Sequence, residues 1–382
     1  MRQRCCKDVG ENEFIASMHR WQALESGLAE SGMAIIKLWL HLNKKDHARA
    51  LKERQENRAL VHFSPSDKKI AADYDGMVSA ASRAIMLTDR DNAPWSIIDA
   101  ADPNFRNLSV VKAIIAGIER TIAAHDARAA RLKVLESVPE VEEDARESLV
   151  STLDAIDLSS VQAQKELKRL QKEIYQLSFR AYKKGISSTL IFEGWDAAGK
   201  GGAIRRLTAG TDARITRVIP ISAPSDEELA HHYLWRFWRH IPRAGFITIY
   251  DRSWYGRVLV ERVEKLTPKE DWARAYAEIN HFEHQLTNNG NILLKFWLHI
   301  SPEEQLRRFR EREAIPWKRY KITDEDWRNR DKWPEYARAA DEMFLRTSTE
   351  DAPWHVVPAE NKKYARLMVL RIYRDALKRA LR

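Results

Sequence analysis

Residues 194–202 read Gly194-Trp195-Asp196-Ala197-Ala198-Gly199-Lys200-Gly201-Gly202. The G-x-x-x-x-G-K spacing is that of a loop that wraps phosphate. Its glycines let consecutive N–H groups turn toward one anion. A helix opening at the lysine adds its positive dipole end, and the lysine adds a point charge between phosphates. Most such loops place Ser or Thr after the lysine to serve Mg²⁺. Here that residue is Gly201, so a metal needs other oxygens, and Asp196 is a candidate. A second carboxylate follows the apolar run 246–250 (FITIY), which reads as a strand ending in Asp251, the Walker B pattern for Mg²⁺. It opens Asp251-Arg252-Ser253-Trp254-Tyr255-Gly256-Arg257, and Arg252 and Arg257 suit a polyanion because guanidinium binds phosphate with two donors. A third segment is basic. Residues 302–313 read as a helix carrying Arg307, Arg308, Arg310 and Arg312 with Phe309, followed by Pro316-Trp317-Lys318-Arg319-Tyr320-Lys321. Beside the loop and the Asp-Arg strand, this reads as a lid that closes over phosphates rather than a solvated helix face.

These groups need elements to hold them. Leu167, Leu170, Ile174 and Leu177 recur at helical spacing and predict a helix over 159–184, stopped by Gly185. Residues 187–193 (SSTLIFE) read as a buried strand, and Ala203, Ile204 and Leu207 give the helix after the loop an apolar face. The aromatic, basic run 231–240 contains His231, His232 and His240; with no carboxylate or cysteine spacing beside them, it reads as helix core rather than a metal site, with Arg236 and Arg239 as candidates to reach the active site.

The chain also repeats itself. Residues 32–42 (GMAIIKLWLHL) match 290–300 (GNILLKFWLHI), and Ala93-Pro94-Trp95 matches Ala352-Pro353-Trp354. The period is too long for a solenoid. A duplicated domain is expected: residues 1–125 as a partial, degenerate copy without the loop or the Asp-Arg strand, 126–158 as an acidic linker, and 159–382 as the complete catalytic domain. Residues 135–157 carry eight acids against Arg146. The first copy starts at the position equivalent to about residue 260, as in a shortened gene product, which leaves sheet edges uncovered.

The 382 residues hold 64 Lys+Arg and 55 Asp+Glu, a formal net charge of +9. Residues 199–217 carry five bases and one acid, 236–262 six and two, and 305–321 seven and two. Those windows hold more than the whole net charge, so the basicity lies at the motifs and points to an anionic partner. Cys5 and Cys6 are the only cysteines, adjacent, which fits a reducing compartment. No signal peptide or membrane span is expected, and the chain reads as cytoplasmic. No recognition helix or zinc spacing supports a nucleic-acid binder.

GWDAAGKGG, YDRSWYGR, the Arg-rich lid and the tail TSTEDAPWHVVPAENKKYAR together resemble the polyphosphate kinase 2 family, most of all its fused two-domain polyphosphate:AMP phosphotransferases. The resemblance covers about 155–380 fully and about 14–120 as a degenerate copy. It implies an α/β fold of thymidylate-kinase-like P-loop type: a parallel sheet flanked by helices, with a helical basic lid. It implies Mg²⁺-dependent phosphoryl transfer from inorganic polyphosphate to AMP. Asp196 and Asp251 match the metal-associated acidic positions, Lys200 the loop lysine, and Arg252 and Arg257 the phosphate-contacting arginines. Arg308, Arg312, Lys318 and Lys321 fall in the basic lid. Gly194, Ala197, Ala198, Gly199, Gly201 and Gly202 supply the loop backbone. Phosphorylation of ADP or GDP from polyphosphate, an ATP-using nucleotide kinase and a non-catalytic polyphosphate binder are the alternatives; homo-oligomerisation is left open.

Overall fold

The computed structural model describes residues 10–56, 73–135 and 160–382. The chain divides into two compact units, Met1–Val141 and Glu142–Arg382.

In the first unit the order is α1 (Glu11–Glu30), β1 (Lys37–His41), α2 (Lys44–Glu56), α3 (Tyr74–Thr88), β2 (Trp95–Asp99) and α4 (Pro103–Leu135). β1 and β2 pair in parallel, Lys37 opposite Trp95. A small core of Phe14, Met18 and Ala84 lies between α1 and α3. The Lys37 ammonium enters this unit beside β1, donating to Glu25 Oε2 at 2.7 Å and to the Thr88 carbonyl at 2.6 Å. Trp95 Nε1 donates to the Thr88 hydroxyl. Leu40 and Ile97, on the two strands found among the described residues of this unit, stay exposed. α4 continues through Leu135, past the boundary expected at residue 125, because the apolar and alanine-rich pattern runs on without a breaker. The remainder of the expected linker and both cysteines lie outside the described residues.

The second unit contains a five-stranded, wholly parallel sheet in the order β4-β5-β3-β6-β7. Its elements are α5 (Ser160–Lys183), β3 (Ser188–Gly194), α6 (Lys200–Thr208), β4 (Thr216–Pro220), β5 (Ile247–Asp251), α7 (Lys269–Asn288), β6 (Ile292–His299), α8 (Pro302–Ala314), α9 (Asp324–Asp331), α10 (Trp333–Thr347), β7 (Trp354–Pro358) and α11 (Lys362–Ala380). Short helical turns at Asp226–Leu229, Trp235–Trp238, Trp254–Arg257 and Val260–Val263, with a 3₁₀ segment Pro316–Lys321, complete the described elements. The run 231–240 forms only the four-residue turn Trp235–Trp238 rather than a full helix. Its aromatics still pack: Phe237 is buried edge-on to Tyr250 and Trp254.

β3 is buried without a break from Ser188 to Glu193 because it is central and covered on both faces, the usual condition of a parallel strand. Its neighbours β5 and β6 lie on opposite sides, so the chain winds outward in two directions and a crevice opens at the carboxyl ends. The loop 195–199 and Asp251 both stand at that edge.

A buried polar network ties α7, β6 and α10. Lys295 donates to Glu283 Oε2 at 2.7 Å, the Thr347 carbonyl at 2.6 Å and the Tyr255 hydroxyl at 3.0 Å. Trp254 Nε1 and the Tyr255 hydroxyl donate to Glu283 Oε1. Trp354 Nε1 donates to the Thr347 hydroxyl. Burial pushes the Glu283 carboxyl up and the Lys295 ammonium down, each opposed by the other's charge. Among the described residues no helix is long and apolar enough to cross a membrane.

Candidate active site

Gly194, the last residue of β3, lies against β6 in register with Leu298. Its φ is +132°, and a Cβ there would stand 2.3 Å from the Leu298 carbonyl oxygen. Only glycine fits that close approach. The loop then turns through two more left-handed positions, Ala197 (φ +61°) and Gly199 (φ +111°), and enters α6 at Lys200. A non-glycine residue held at positive φ stores strain, and such strain concentrates at functional turns. The first N–H groups of α6 have no intrahelical acceptor, so the loop and helix end present donors to an anion.

The loop's carbonyls are held from behind. The Lys200 ammonium donates to the Gly194 carbonyl at 2.5 Å and the Trp195 carbonyl at 3.2 Å. Trp195 stacks on Trp333 at 3.6 Å between ring centroids, and its indole N–H donates to His299 Nδ1 at 3.1 Å. Burial brings the His299 imidazole down to about 4, which keeps Nδ1 an acceptor.

The Asp196 carboxylate accepts from Arg252 at 3.2 Å and from the Asn329 amide at 2.9 Å. Burial opposes its charge, but Lys200, Arg252 and Asn329 outweigh burial and hold the carboxyl below the usual range. Asp251 lies in register with Phe192 of β3, and a Cβ on Gly201 would sit 3.9 Å from Asp251 Oδ2, so the second carboxylate stands over the start of α6. Arg252, at φ +66°, follows directly, its N–H bonded to the Phe192 carbonyl. The structure therefore brings Asp196, Lys200, Asp251 and Arg252 to one crevice. Among the described residues no cluster of three or more His, Cys, Asp and Glu could hold a metal. The two carboxylates still fit Mg²⁺, a hard cation commonly held by one or two carboxylates plus substrate phosphates and water.

The sequence profile of the family described as Polyphosphate kinase 2 (PPK2) matches residues 3–139 and 157–382. The chain belongs to the polyphosphate kinase 2 family. It is 43% identical over 389 residues to the polyphosphate:AMP phosphotransferase of Pseudomonas syringae pv. tomato, covering 98% of this chain and 74% of that protein. It is 44% identical over 380 residues to the enzyme so named in Pseudomonas aeruginosa, covering 98% of this chain and 75% of that one. A crystal structure from Pseudomonas aeruginosa PA01, described as polyphosphate kinase 2, superposes with a TM-score of 0.81 at 40% identity, covering 99% of this chain and 74% of that chain.

Other basic residues expected at the site in this family member are placed differently. Arg257 pairs with Glu261 at 2.8 Å, donates to the Thr267 hydroxyl and lies 4.5 Å over the Tyr233 ring. Lys318 pairs with Glu311 at 2.8 Å. Arg312 stands in the last turn of α8, and the side chain of Lys321 lies outside the described residues. Arg308 is buried, 2% exposed, and directs its guanidinium at backbone carbonyls, so an exposed lid cation is not what this position supplies. Arg236 reaches Glu228 and Arg239 pairs with Glu227.

Several site residues carried no recognised motif. Glu193, buried one residue before the loop, accepts from Ser253 Oγ at 2.8 Å; burial pushes its carboxyl up and Lys200 opposes that. Arg366, on α11, lies 3.5 Å from where a Gly202 Cβ would stand. Burial lowers its pKa, and Arg206, Arg308 and Arg205 lower it further. Lys362 is likewise lowered, by burial and then by Arg308. Cations that depress one another in this way make an anion's arrival favourable. Their signal was present in the tail as Lys362-Lys363-Tyr364-Ala365-Arg366, but nothing local connects it to a loop 160 residues away.

Proposed function

We propose that this chain transfers a terminal phosphoryl group from inorganic polyphosphate to AMP, giving ADP, with Mg²⁺. The observation that carries the reading is the near-complete overlap with two polyphosphate:AMP phosphotransferases, 98% of the chain in each case. The crevice supports it chemically. A phosphate oxygen of AMP attacks the terminal phosphorus, the P–O–P bond to the chain breaks, and the shortened polyphosphate leaves with the bond's electrons. Such transfer depends on alignment and on neutralising charge. The N–H groups of Ala197 and of Gly199 to Gly202, with the Lys200 ammonium, cradle donor phosphates, while the Ala198 N–H closes the loop turn on the Trp195 carbonyl. Arg252 and Arg366 stabilise charge on the transferring group. Asp196 and Asp251 would hold Mg²⁺, which supplies charge neutralisation between phosphate oxygens.

The same reading takes residues 159–382 as a thymidylate-kinase-like P-loop domain and the first unit as a partial copy of it. The polar networks support this. Lys37, Glu25, Thr88 and Trp95 repeat the contacts of Lys295, Glu283, Thr347 and Trp354, and β1–β2 repeats the β6–β7 register. The first unit carries no equivalent of the loop or of Asp251 in this reading, so catalysis is assigned to the second. A cytoplasmic site, where nucleotides and Mg²⁺ are abundant, belongs to the same proposal.

The test is a donor-by-acceptor matrix. Purified protein with Mg²⁺ receives polyphosphate or ATP as donor and AMP, ADP, GMP or GDP as acceptor, with products separated by chromatography. ADP from polyphosphate and AMP, abolished by a chelator, is the expected result. Turnover with ATP alone, or retention of polyphosphate without product, overturns it.

A further inference from the structure

We propose that Gln305 and Arg308 are positioning residues for the phosphate loop: from α8 they hold three consecutive loop carbonyls, so that the loop's N–H groups turn toward the donor phosphates. Gln305 Nε2 donates to the Asp196 carbonyl at 3.2 Å. Arg308 Nη1 donates to the Ala197 carbonyl at 3.0 Å and the Ala198 carbonyl at 2.9 Å. With Lys200 on the Gly194 and Trp195 carbonyls, every carbonyl from 194 to 198 is taken by a side chain.

Both side chains are built in. Gln305 is 1% exposed and Arg308 2%. Gln305 Oε1 accepts from Arg330 at 3.2 Å, which fixes its amide orientation. Arg308 has five N–H donors and all five are used: its Nε donates to Glu304, and Nη2 to the Ala359 carbonyl at 2.6 Å and the Glu360 carbonyl at 3.0 Å. No donor is left for a phosphate, so Arg308 acts through the loop. The Nη2 bonds also tie the loop to the turn entering α11, which carries Lys362 and Arg366. The guanidinium fork thus fixes the distance between the amide cradle and the cationic pair beside it. A lysine, with one nitrogen and no fork, cannot reach both carbonyl pairs at once.

This inference rests on the phosphoryl-transfer reading of the same crevice and adds to it which residues set the loop. The experiment uses the full chain with Arg308→Lys and Gln305→Met, two substitutions close in volume. It measures kcat, KM for polyphosphate and for AMP, thermal midpoint, and backbone hydrogen exchange of the peptide containing 194–202. We expect kcat/KM for polyphosphate to fall on the order of 100-fold in Arg308→Lys and less in Gln305→Met. KM for AMP should hold, and exchange should rise in the loop peptide but not in the sheet. Folded variants with parental polyphosphate kinetics and parental loop exchange overturn the proposal. So does a variant whose two KM values and whole-chain exchange change together, since that marks general destabilisation. If Arg308→Lys does not fold, Gln305→Met decides alone. If the parent fails to make ADP from polyphosphate and AMP, the reaction is wrong, and the loop exchange of parent against variants still decides the positioning role.

Discussion

At the scale of residues, Lys200 does two things at once: it folds back on two loop carbonyls and puts a positive charge beside Glu193 and Asp196. Lys200→Ala should therefore lower kcat on the order of 10²–10³-fold while circular dichroism and thermal midpoint stay near the parent. Near-normal turnover would remove Lys200 from the mechanism. His299 makes a pH prediction. Its imidazole is held at about 4 by burial, against 6.5 when unfolded. The unfolded chain therefore binds the extra proton between those values, and the folded one does not. The stability His299 contributes is fully present above 6.5 and is lost as pH falls toward 4. Urea midpoints measured across that window should drop, and His299→Asn should flatten the drop. An unchanged slope in the variant refutes the assignment. Both residues differ in how readable they are. Lys200 announces itself because phosphate geometry dictates its spacing from two glycines. His299 does not, because its state depends on Trp195, more than a hundred positions away.

At the scale of elements, the strand–loop–helix unit, the Asp-ended strand and the basic helix were legible from periodicity and turn residues. What each helix face meets was not. Arg307, Arg308, Arg310 and Arg312 look alike in sequence, yet only Arg308 falls with Gln305 and Phe309 on the buried stripe at spacings of three and four. That spacing was the available signal: an arginine on an apolar stripe must find acceptors inside. The tight β3–β6 approach gives a further prediction. Gly194→Ala combines a φ of +132° with a 2.3 Å contact to a backbone oxygen, and should cost on the order of 3 kcal/mol in folding as well as activity. Chemical denaturation checks it; parental stability would mean that β6 can yield. The repeated polar network offers a graded comparison. Lys295 and Glu283 side chains are 0% and 2% exposed, whereas those of Lys37 and Glu25 are 7% and 22%. Lys295→Met strands a buried carboxylate and should cost about 3–5 kcal/mol. Lys37→Met should cost less, because Glu25 keeps access to water. Equal losses would contradict the burial argument.

At the scale of the whole molecule, the cations fall into two kinds, and some of them lie outside the basic windows of the sequence. Arg257, Arg307, Lys318 and Arg374 sit against carboxylates. Arg366 instead faces other cations, and Lys362 lies near Arg308 and Arg307 as well as the Glu311 and Glu304 carboxylates. Attraction for a polyanion should come from the second kind, and it should be screened by salt over a Debye length of about 10 Å at 0.1 M. KM for polyphosphate should rise steeply from 50 to 300 mM KCl, on the order of tenfold, while KM for AMP rises less. Parallel slopes for the two substrates would show that Lys362 and Arg366 do not bind the donor chain.

A loop whose carbonyls are already occupied meets its ligand without first having to order itself. In the proposed role it meets oxygens around one phosphorus, and nothing in five tethered peptide units measures how long the attached chain is. A polymer of identical units offers the same end after every transfer. Donors of different length should then be used at one rate per chain end, until the polymer becomes too short to touch Lys362 and Arg366. From that point the rate should fall in a step rather than a slope, and the length at the step would be a ruler for the distance between the cradle and the cations beyond it.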